Sequence, residues 1–312
     1  MTNITPIVGS INWRSNKDEL GTELSFDIAY NDARYHPINV VDLGDLVILK
    51  NGDTEITRAI IVDENKSGRS PIKYTSFDYA FYLNKSNAIY QFNKMAADQA
   101  VKKILSDFNI PVGNITSMRT AIDKIYNGTT LSEIIKDILS IVENSTGKKH
   151  LMEMRAGKLF IEPQGDLLIE GKFKLAENTG VNDVTHAISS PSKTRSIIDM
   201  KNAIQIVSDE KLITRVENTS LIGQYGRLQE VVEVDEEEVK NAKTIAQNKL
   251  KELGKVFEES DVVLLGDDRF RAGRHFKINE PITGIDGTYL ITDADHTISN
   301  GIHTMKLGLE AV

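Results

Sequence analysis

The spacing between apolar residues changes twice along this chain of 312 residues. In the first ninety residues the spacing is mainly two: Leu24, Phe26, Ile28 and Tyr30 are separated by single, mostly polar residues, which is typical of a strand with one buried face. A helical spacing then replaces it, and strand patterns return in the second half. The sequence therefore predicts an α+β fold of mainly β character, with an inserted small α/β segment. The predicted divisions are residues 1–90, 91–165 and 166–312.

Two Asn-Gly pairs predict tight hairpins in the β-rich segments. Asn51-Gly52 lies between an apolar run at 46–49 and a second run at 55–62, and Asn300-Gly301 lies in the last predicted hairpin. Asn-Gly is favoured where both turn positions need a positive φ. A further strand is predicted over residues 72–81. Short strands joined by Gly-rich turns indicate a small barrel or a sandwich.

Two helices are predicted in the middle segment. The second opens at Thr130, because Thr130 and Glu133 have the spacing of a capping box. A hairpin turning at Ala156-Gly157 follows it. The first helix carries apolar residues at helical spacing: Ala97, Val101, Ile104, Leu105 and Phe108.

One helix, at about residues 235–254, is predicted in the second β-rich segment. Asp235 is a suitable N-cap, and the acidic residues 236–238 would stabilise the positive end of the helix dipole. Gly254 is expected to end the helix.

Composition excludes several classes of protein. The formal net charge is -8, which disfavours a broad nucleic-acid interface, because such interfaces need clustered Lys and Arg. Lys148-Lys149 and the basic residues between 269 and 274 are too short a cluster and are expected to be solvated. Cysteine is absent, so disulfides, thiolate metal sites and cysteine nucleophiles are excluded. No signal peptide and no membrane-spanning segment are predicted, so we expect synthesis and folding in a cytoplasm.

No catalytic or cofactor-binding signature is present, so neither catalytic residues nor a cofactor are predicted. Asp267-Asp268 and the pair Asp293 and Asp295 could be interpreted as glycosidase carboxylates. Sugar clefts usually carry aromatic platforms, whereas this chain has one tryptophan and 6% aromatic residues. Asp267-Asp268, which follows Gly266, is therefore interpreted as a turn.

His296 and His303 are the candidates for a metal or acid/base site. If Asn300-Gly301 is a two-residue turn, His296 lies opposite Met305 and His303 lies opposite Ile298, so the histidines are diagonal neighbours on one face. Asp293 and Asp295 would point to the other face and leave no obvious third ligand. Two packed strand histidines are the favoured interpretation.

Several short motifs follow one another along the chain. They are Val41-Asp42-Leu43-Gly44-Asp45-Leu46-Val47, Ser76 to Lys85, Phe92 to Ala100, Phe108 to Gly113, Arg155-Ala156-Gly157-Lys158-Leu159, Tyr225-Gly226, Ala242 with Ala246, Leu265-Gly266-Asp267, Arg271-Ala272-Gly273, His296-Thr297-Ile298 and Gly301 to Met305. In their order and spacing these motifs resemble the hub proteins of PBSX-like contractile tails, within the wider late-control and spike-hub group. Ala96 departs from this pattern, because a threonine or serine cap is expected there, for which Asn93 could substitute.

This resemblance implies a structural role without chemistry. Such hubs are homotrimers in which each chain supplies two tube-like β-barrel domains, so that three chains match a sixfold tail tube above and a threefold spike below. The implied partners are a tail tube or tube-initiator protein, a central spike protein and other baseplate proteins, in a phage tail or an R-type bacteriocin. Leu43, Gly44 and Asp45 are expected at a barrel rim, or else in an ordinary tight turn. The alternatives are a cell-wall-degrading tail enzyme and the spike hub of a related secretion system.

Overall fold

The computed structural model describes residues 2–30, 38–175, 187–235 and 238–312. The helices are α1 (Ala80–Lys85), α2 (Ala97–Asp107), α3 (Leu131–Thr146), α4 (Thr219–Tyr225) and α5 (Ala242–Leu253). The strands are β1 (Val8–Asn16), β2 (Glu23–Ile28), β3 (Leu46–Asn51), β4 (Thr54–Asn65), β5 (Ile72–Phe77), β6 (Asn87–Ala96), β7 (Val112–Ile115), β8 (Ala121–Thr130), β9 (His150–Arg155), β10 (Lys158–Pro163), β11 (Leu168–Leu175), β12 (Ala187–Ser196), β13 (Ala203–Ser208), β14 (Lys211–Glu217), β15 (Gln229–Glu233), β16 (Phe257–Leu265), β17 (His275–Glu280), β18 (Ile285–Ser299) and β19 (Ile302–Ala311).

One sheet of eleven strands runs through both β-rich ends of the chain, which confirms an α+β fold of mainly β character. Its strand order is β17-β11-β12-β16-β19-β18-β1-β2-β5-β4-β3, and β17 also pairs with β18. The two ends meet where β1 pairs with β18, with Trp13 opposite His296. Alternate residues of these strands form two apolar clusters, one around Phe26 and Tyr74 and one around Phe276 and Leu307.

The middle of the chain forms a separate apolar cluster from three helices and two small sheets. The sheets have the orders β6-β8 and β7-β10-β9. The buried faces of α2 and α3, with Ile104 and Ile138 fully buried, pack against these strands. Ala156 and Gly157 both have positive φ in the predicted β9–β10 hairpin. The helices and hairpin predicted for this segment are therefore confirmed.

Residues 203–253 form a second small α/β unit that the sequence did not predict. A sheet of order β14-β13-β15 packs on α5, with Ile204, Ile206 and Ile245 buried between them. The helix α4 precedes β15, so the expectation of one helix in this half was wrong. Among the described residues, no helix is long and apolar enough to cross a membrane.

The predicted start of α5 at Asp235 was also wrong. Glu238 N–H donates to Asp235 O at 2.9 Å, and neither residue belongs to α5. A 3₁₀ turn at Val239–Asn241 follows, and Asn241 is the N-cap, without a side-chain hydrogen bond. Residues 236 and 237 lie outside the described part of the chain. Gly254 ends the helix, as predicted.

Three other boundaries differ from the prediction. The strand predicted over 72–81 ends at Phe77, because the Asp78 carboxylate accepts hydrogen bonds from Thr22 N and Ala80 N (2.8 and 3.0 Å) and turns the chain into α1. Asn51 pairs with Thr54, so the turn residues are Gly52-Asp53. The N-cap of α2 is Ala96, without a side-chain bond.

Backbone groups take the place of a side-chain cap at the start of α2. Ala97 N donates to Thr120 O at 2.9 Å and Asp98 N donates to Met118 O at 3.4 Å. Asn93 lies inside β6 and does not cap the helix. Helix N–H groups need an acceptor, but that acceptor need not be a side chain.

Replacing Thr130 by alanine is expected to destabilise the chain by about 1 kcal/mol. The Thr130 hydroxyl accepts from Glu133 N at 3.3 Å, and the Glu133 carboxylate accepts from Thr130 N at 3.2 Å. Thr130→Ser keeps the hydroxyl and is the matched control. Denaturant unfolding measures both variants, and an equal stability of the Ala and Ser variants would contradict a capping role.

Candidate functional site

The loop between β16 and β17, residues 266–274, contacts three different parts of the molecule. Phe270 N donates to Asp267 O at 3.1 Å, which confirms that Asp267-Asp268 is part of a turn. Asp268 accepts from the Asn51 side chain at 2.7 Å, and Ala272 N donates to the Ser15 hydroxyl at 3.0 Å. Gly266 N donates to His303 O at 2.9 Å, so the loop joins the β3–β4 hairpin, β1 and β19.

Three arginines converge on the carboxylate of Glu153. Arg274 donates to both carboxylate oxygens at 3.1 Å, Arg271 donates to one at 3.2 Å, and Arg155 Nε lies 3.5 Å from the other. The side chains of Glu153, Arg271 and Arg274 are 13, 15 and 17% exposed. We call these four residues the arginine–glutamate cluster. It connects the middle segment, through β9, to the loop 266–274.

The basic residues of this loop were expected to be solvated, and for Arg271 and Arg274 this was wrong. Burial lowers the pKa of Arg274, and attraction to Glu153 opposes that effect. Arg271 also donates to the backbone carbonyl of Ile56 in β4. An arginine that loses water needs such partners, because an unpaired buried charge is costly.

The two Arg-Ala-Gly motifs of the sequence meet at this cluster. Arg155-Ala156-Gly157 supplies one guanidinium, and a Cβ on Gly157 would lie 3.1 Å from the Tyr79 ring. Arg271-Ala272-Gly273 supplies another, and Gly273 has φ +86° with Leu151 packed against it. In each motif the glycine permits a close approach of another side chain beside an arginine of the cluster. The repeated motif was the available signal for this site, but the sequence did not show that its two copies are adjacent.

Asp78 lies beside the arginine–glutamate cluster and is 3% exposed. Burial raises the pKa of Asp78 to about 7, while hydrogen bonds from Thr22 and Ala80 and the charge of Arg271 act in the opposite direction. A cleft of about 30 Å³ is lined by Asp78, Glu153 and Arg271, among others, and is large enough for a water molecule.

His296 and His303 are in contact, with the register that the sequence predicted. His296 pairs with Met305 and His303 pairs with Ile298 across the β18–β19 hairpin, and Asn300 and Gly301 both have positive φ. His296 Nδ1 lies 3.0 Å from His303 Nε2, and His296 Nε2 lies 2.9 Å from the carbonyl oxygen of Phe270. Because a carbonyl only accepts, His296 carries its proton on Nε2 when neutral and accepts from His303 through Nδ1.

The single tryptophan, Trp13, packs against this histidine pair. The Trp13 ring stacks on His296 with centroids 4.6 Å apart and an interplanar angle of 5°. Trp13 is 3% and His296 is 1% exposed. Burial lowers the pKa of His296 to about 4, and burial also lowers the pKa of His303, although the charge of Asp268 opposes the second effect. Both imidazoles are therefore neutral at pH 7.

The metal-site interpretation of His296 and His303 stays a prediction, and the geometry shows what it would require. A metal ion between the rings would have to replace their hydrogen bond. Among the described residues, no group of three or more His, Cys, Asp or Glu could hold a metal ion. Asp293 and Asp295 are more exposed than the buried His296, as their alternation along β18 predicts.

Leu43, Gly44 and Asp45 form a tight, exposed turn immediately before β3. Gly44 has φ +84°, and its N–H donates to Ile61 O at 2.8 Å. Leu43 is 57% exposed. The next strand, β3, is at one end of the strand order and pairs only with β4 among the described strands. The role of Leu43, Gly44 and Asp45 at an interface stays a prediction.

A polar groove of about 550 Å³ lies between the sheet and the end of α5. Several carboxylates that line it have lysine partners. Lys149 contacts Glu252 at 2.8 Å, and Lys255 contacts Glu310 at 3.4 Å. Glu252 and Glu310 are therefore neutralised by lysines that also line the groove.

Comparison with known protein families gives a match to the YQBQ-like family over residues 11–310. The uncharacterized protein YqbQ of Bacillus subtilis (strain 168) is 26% identical over 280 residues, which cover 87% of this chain and 82% of that protein. The phage-like element PBSX protein XkdQ of the same organism is 26% identical over 274 residues, which cover 86% of this chain and 81% of XkdQ.

Solved structures of tail proteins share the fold along nearly the whole chain. The 43 kDa tail protein of prophage MuSo2 from Shewanella oneidensis has a TM-score of 0.72 at 13% identity, covering 97% of this chain and 94% of that one. A tail protein from Neisseria meningitidis MC58 has a TM-score of 0.73 at 14% identity, covering 97% and 92%. The Escherichia coli c3393 protein, a type VI secretion component, has a TM-score of 0.54 at 13% identity, covering 97% and 73%.

Proposed function

The chain belongs to the YQBQ-like family, and from this premise we propose that it is the hub of a contractile phage tail or tail-like bacteriocin. In this role it joins the sixfold tail tube to the threefold central spike, as a homotrimer around a central channel. The observation that carries the proposal is the alignment with XkdQ of the phage-like element PBSX over 86% of this chain. The fold shared with two tail proteins, one of them from prophage MuSo2, supports it.

The proposed architecture has two tube-like barrels, in residues 1–90 and 166–312, and an insertion at 91–165. The pairing of β17 with both β11 and β18 supports a barrel in the second segment. A barrel is closed by hydrogen bonds between the first and last strands of its sheet. The continuous sheet through β1 and β18 supports a fixed relation between the two units. In a trimer, six similar units would then face the tube.

The proposed role is structural, so the arginine–glutamate cluster and the histidine pair hold parts of the hub together. The cluster joins the insertion to the sheet through Glu153 and Arg271. The histidines join β18 to the loop 266–274. The proposed partners are the tube or its initiator, the spike and other baseplate proteins, and assembly would begin in a bacterial cytoplasm.

Two alternatives compete with this role. A wall-degrading tail enzyme would need a substrate cleft with paired carboxylates, whereas the polar groove beside α5 has several of its carboxylates paired with lysines. The spike hub of a secretion system is favoured by the fold shared with c3393, although this chain spans 73% of that one.

Counting copies in purified tail-like particles tests the proposal. Quantitative mass spectrometry is expected to find about three copies per particle, beside a tube protein present in multiples of six, because a threefold hub meets a sixfold tube. Absence of this protein from every particle would overturn the proposal. Release of peptidoglycan fragments by the purified chain would favour the enzyme instead.

A further inference from the structure

The outer edge of β3 has backbone hydrogen-bonding groups without a partner among the residues that the structure describes. Ile61 N donates to Asp45 O at 3.0 Å, and Val47 lies opposite Ala59 in the antiparallel pair. Because alternate residues of a strand direct their N–H and C=O groups to opposite sides, Leu46 and Ile48 direct theirs away from β4. Among the described strands of this sheet, β3 is the one with a single neighbour.

This edge is also apolar on both faces. Val47 and Leu49 pack against the apolar cluster around Phe26. Leu46 and Ile48 lie on the opposite face, and Leu46 is 42% exposed. Edge strands are normally protected by charges, prolines or bulges within them. In β3, Lys50 and a register shift between Leu49 and Lys50 lie near the end of the strand, whereas the run from Leu46 to Leu49 has no charged residue and no proline. Such an edge is suited to receive another extended strand.

We infer that the outer edge of β3 receives an extended, mainly apolar strand from a different protein of the particle. Self-pairing of β3 would join two copies about a twofold axis, which does not fit the threefold hub on which this inference rests. The other described strands with one neighbour are β6, β7, β8, β9, β14 and β15. None of them has more than two consecutive aliphatic residues, as in Leu212-Ile213 of β14 and Val231-Val232 of β15. They are therefore poorer partners than a foreign apolar strand.

Charges at the two ends of β3 specify the occupant further. Asp42 and Asp45 lie before the strand, and Lys50 lies near its end. An incoming strand would be complementary if it carried a basic residue opposite the aspartates and an acidic residue opposite Lys50. The sequence of the occupant is thus expected to be basic, apolar and acidic in that order along β3.

Ile48→Pro is the variant that tests this edge, with Ile48→Val as the matched control. Proline removes the outward N–H of Ile48 and leaves the bonds to β4, and such a change is tolerated at an edge. We expect the thermal midpoints of both variants to stay close to that of the wild-type chain. In complementation of a deletion strain, incorporation of Ile48→Pro into particles is expected to fall about tenfold, while Ile48→Val is incorporated normally.

Hydrogen exchange of the wild-type chain gives a second test that does not depend on folding of the proline variant. The Leu46 and Ile48 amides are expected to exchange rapidly in the free chain and slowly in particles. Slow exchange in the free chain would mean that residues of the same chain cover the edge, which overturns the inference. Normal incorporation of Ile48→Pro with wild-type exchange would also overturn it.

A cysteine at the edge distinguishes a second copy from a different protein. The chain has no cysteine, so Lys50→Cys introduces a single thiol. A disulfide between two copies in particles would overturn the inference, whereas a crosslink to another particle protein would support it. Absence of the wild-type chain from particles would instead remove the proposed hub function itself, before the edge is tested.

Discussion

Replacing Glu153 by glutamine is expected to lower the free energy of unfolding by about 3–5 kcal/mol, as is usual when one partner of a buried ion pair is removed. In the wild-type chain the Glu153 carboxylate lies within 3.5 Å of nitrogen atoms of Arg155, Arg271 and Arg274. Glutamine keeps the shape but removes the negative charge, so three guanidinium groups would repel one another in a poorly solvated site. Urea unfolding followed by circular dichroism measures the loss.

Glu217→Gln is the matched control for this prediction. Glu217 also holds two arginines, Arg227 at 2.9 Å and Arg215 at 3.4 Å, but its side chain is 33% exposed and the arginines are more than 40% exposed. Exposed ion pairs contribute at most about 1 kcal/mol. If Glu153→Gln loses no more stability than Glu217→Gln, the cluster does not hold the insertion to the sheet.

Acidification from pH 7 to pH 4 is expected to remove about 3 kcal/mol of stability through His296. The pKa of His296 is about 4 in the folded chain and about 6.5 when unfolded. The unfolded state therefore binds the proton first, so the stabilisation is complete above pH 6.5 and is lost as the pH falls toward 4. A proton on His296 Nδ1 would also oppose the N–H that His303 donates to it.

Burial is the main cause of the lowered pKa of each histidine, and the charged groups that face the pair modify it. Asp268 favours protonation of both rings, whereas Arg271 disfavours protonation of His296, and Asp267 favours protonation of His303. Burial is the largest influence on each ring, so both pKa values are lowered despite the nearby carboxylates. The folded chain therefore favours the neutral form of both imidazoles.

His296→Phe isolates the contribution of this ring, because phenylalanine can keep the stacking on Trp13 and cannot bind a proton. Unfolding free energies at pH 7, 5.5 and 4.5 can be followed by the fluorescence of Trp13, the single tryptophan. We expect the variant to be less stable at pH 7, because Phe270 O and His303 lose a partner, but to lose less stability on acidification. Parallel pH profiles for the two proteins would contradict the prediction.

The prediction from sequence succeeded where interactions between near neighbours decide the structure. The capping box of Thr130 and Glu133 and the turn at Asn300-Gly301 each depend on a few consecutive residues. The turn sets the β18–β19 register, so contact between His296 and His303 followed from the sequence. Even there the third partner, Trp13, was missed, because it lies in β1, near the other end of the chain.

Local signals failed where a distant group could satisfy the same need. The acidic run that begins at Asp235 suggested a helix start, but α5 starts at Ala242. Ala96 carries no side-chain cap because the Thr120 and Met118 carbonyls accept the free N–H groups of α2. Capping preferences describe only hydrogen bonds from a side chain near the helix start. Backbone carbonyls from distant segments can accept the same N–H groups instead.

The sequence alone determined the strand and helix periodicity, the absence of thiol chemistry and the hairpin that pairs the histidines, because each depends on composition or on adjacent residues. Tertiary structure decided that β1 pairs with β18, that Arg155 and Arg271 meet on Glu153, and that β3 pairs with β4 alone among the described strands. The first two of these features join segments that lie far apart in the sequence. These contacts form because apolar surfaces of distant segments are buried against each other. A pattern of neighbouring residues does not predict which distant segments will pair.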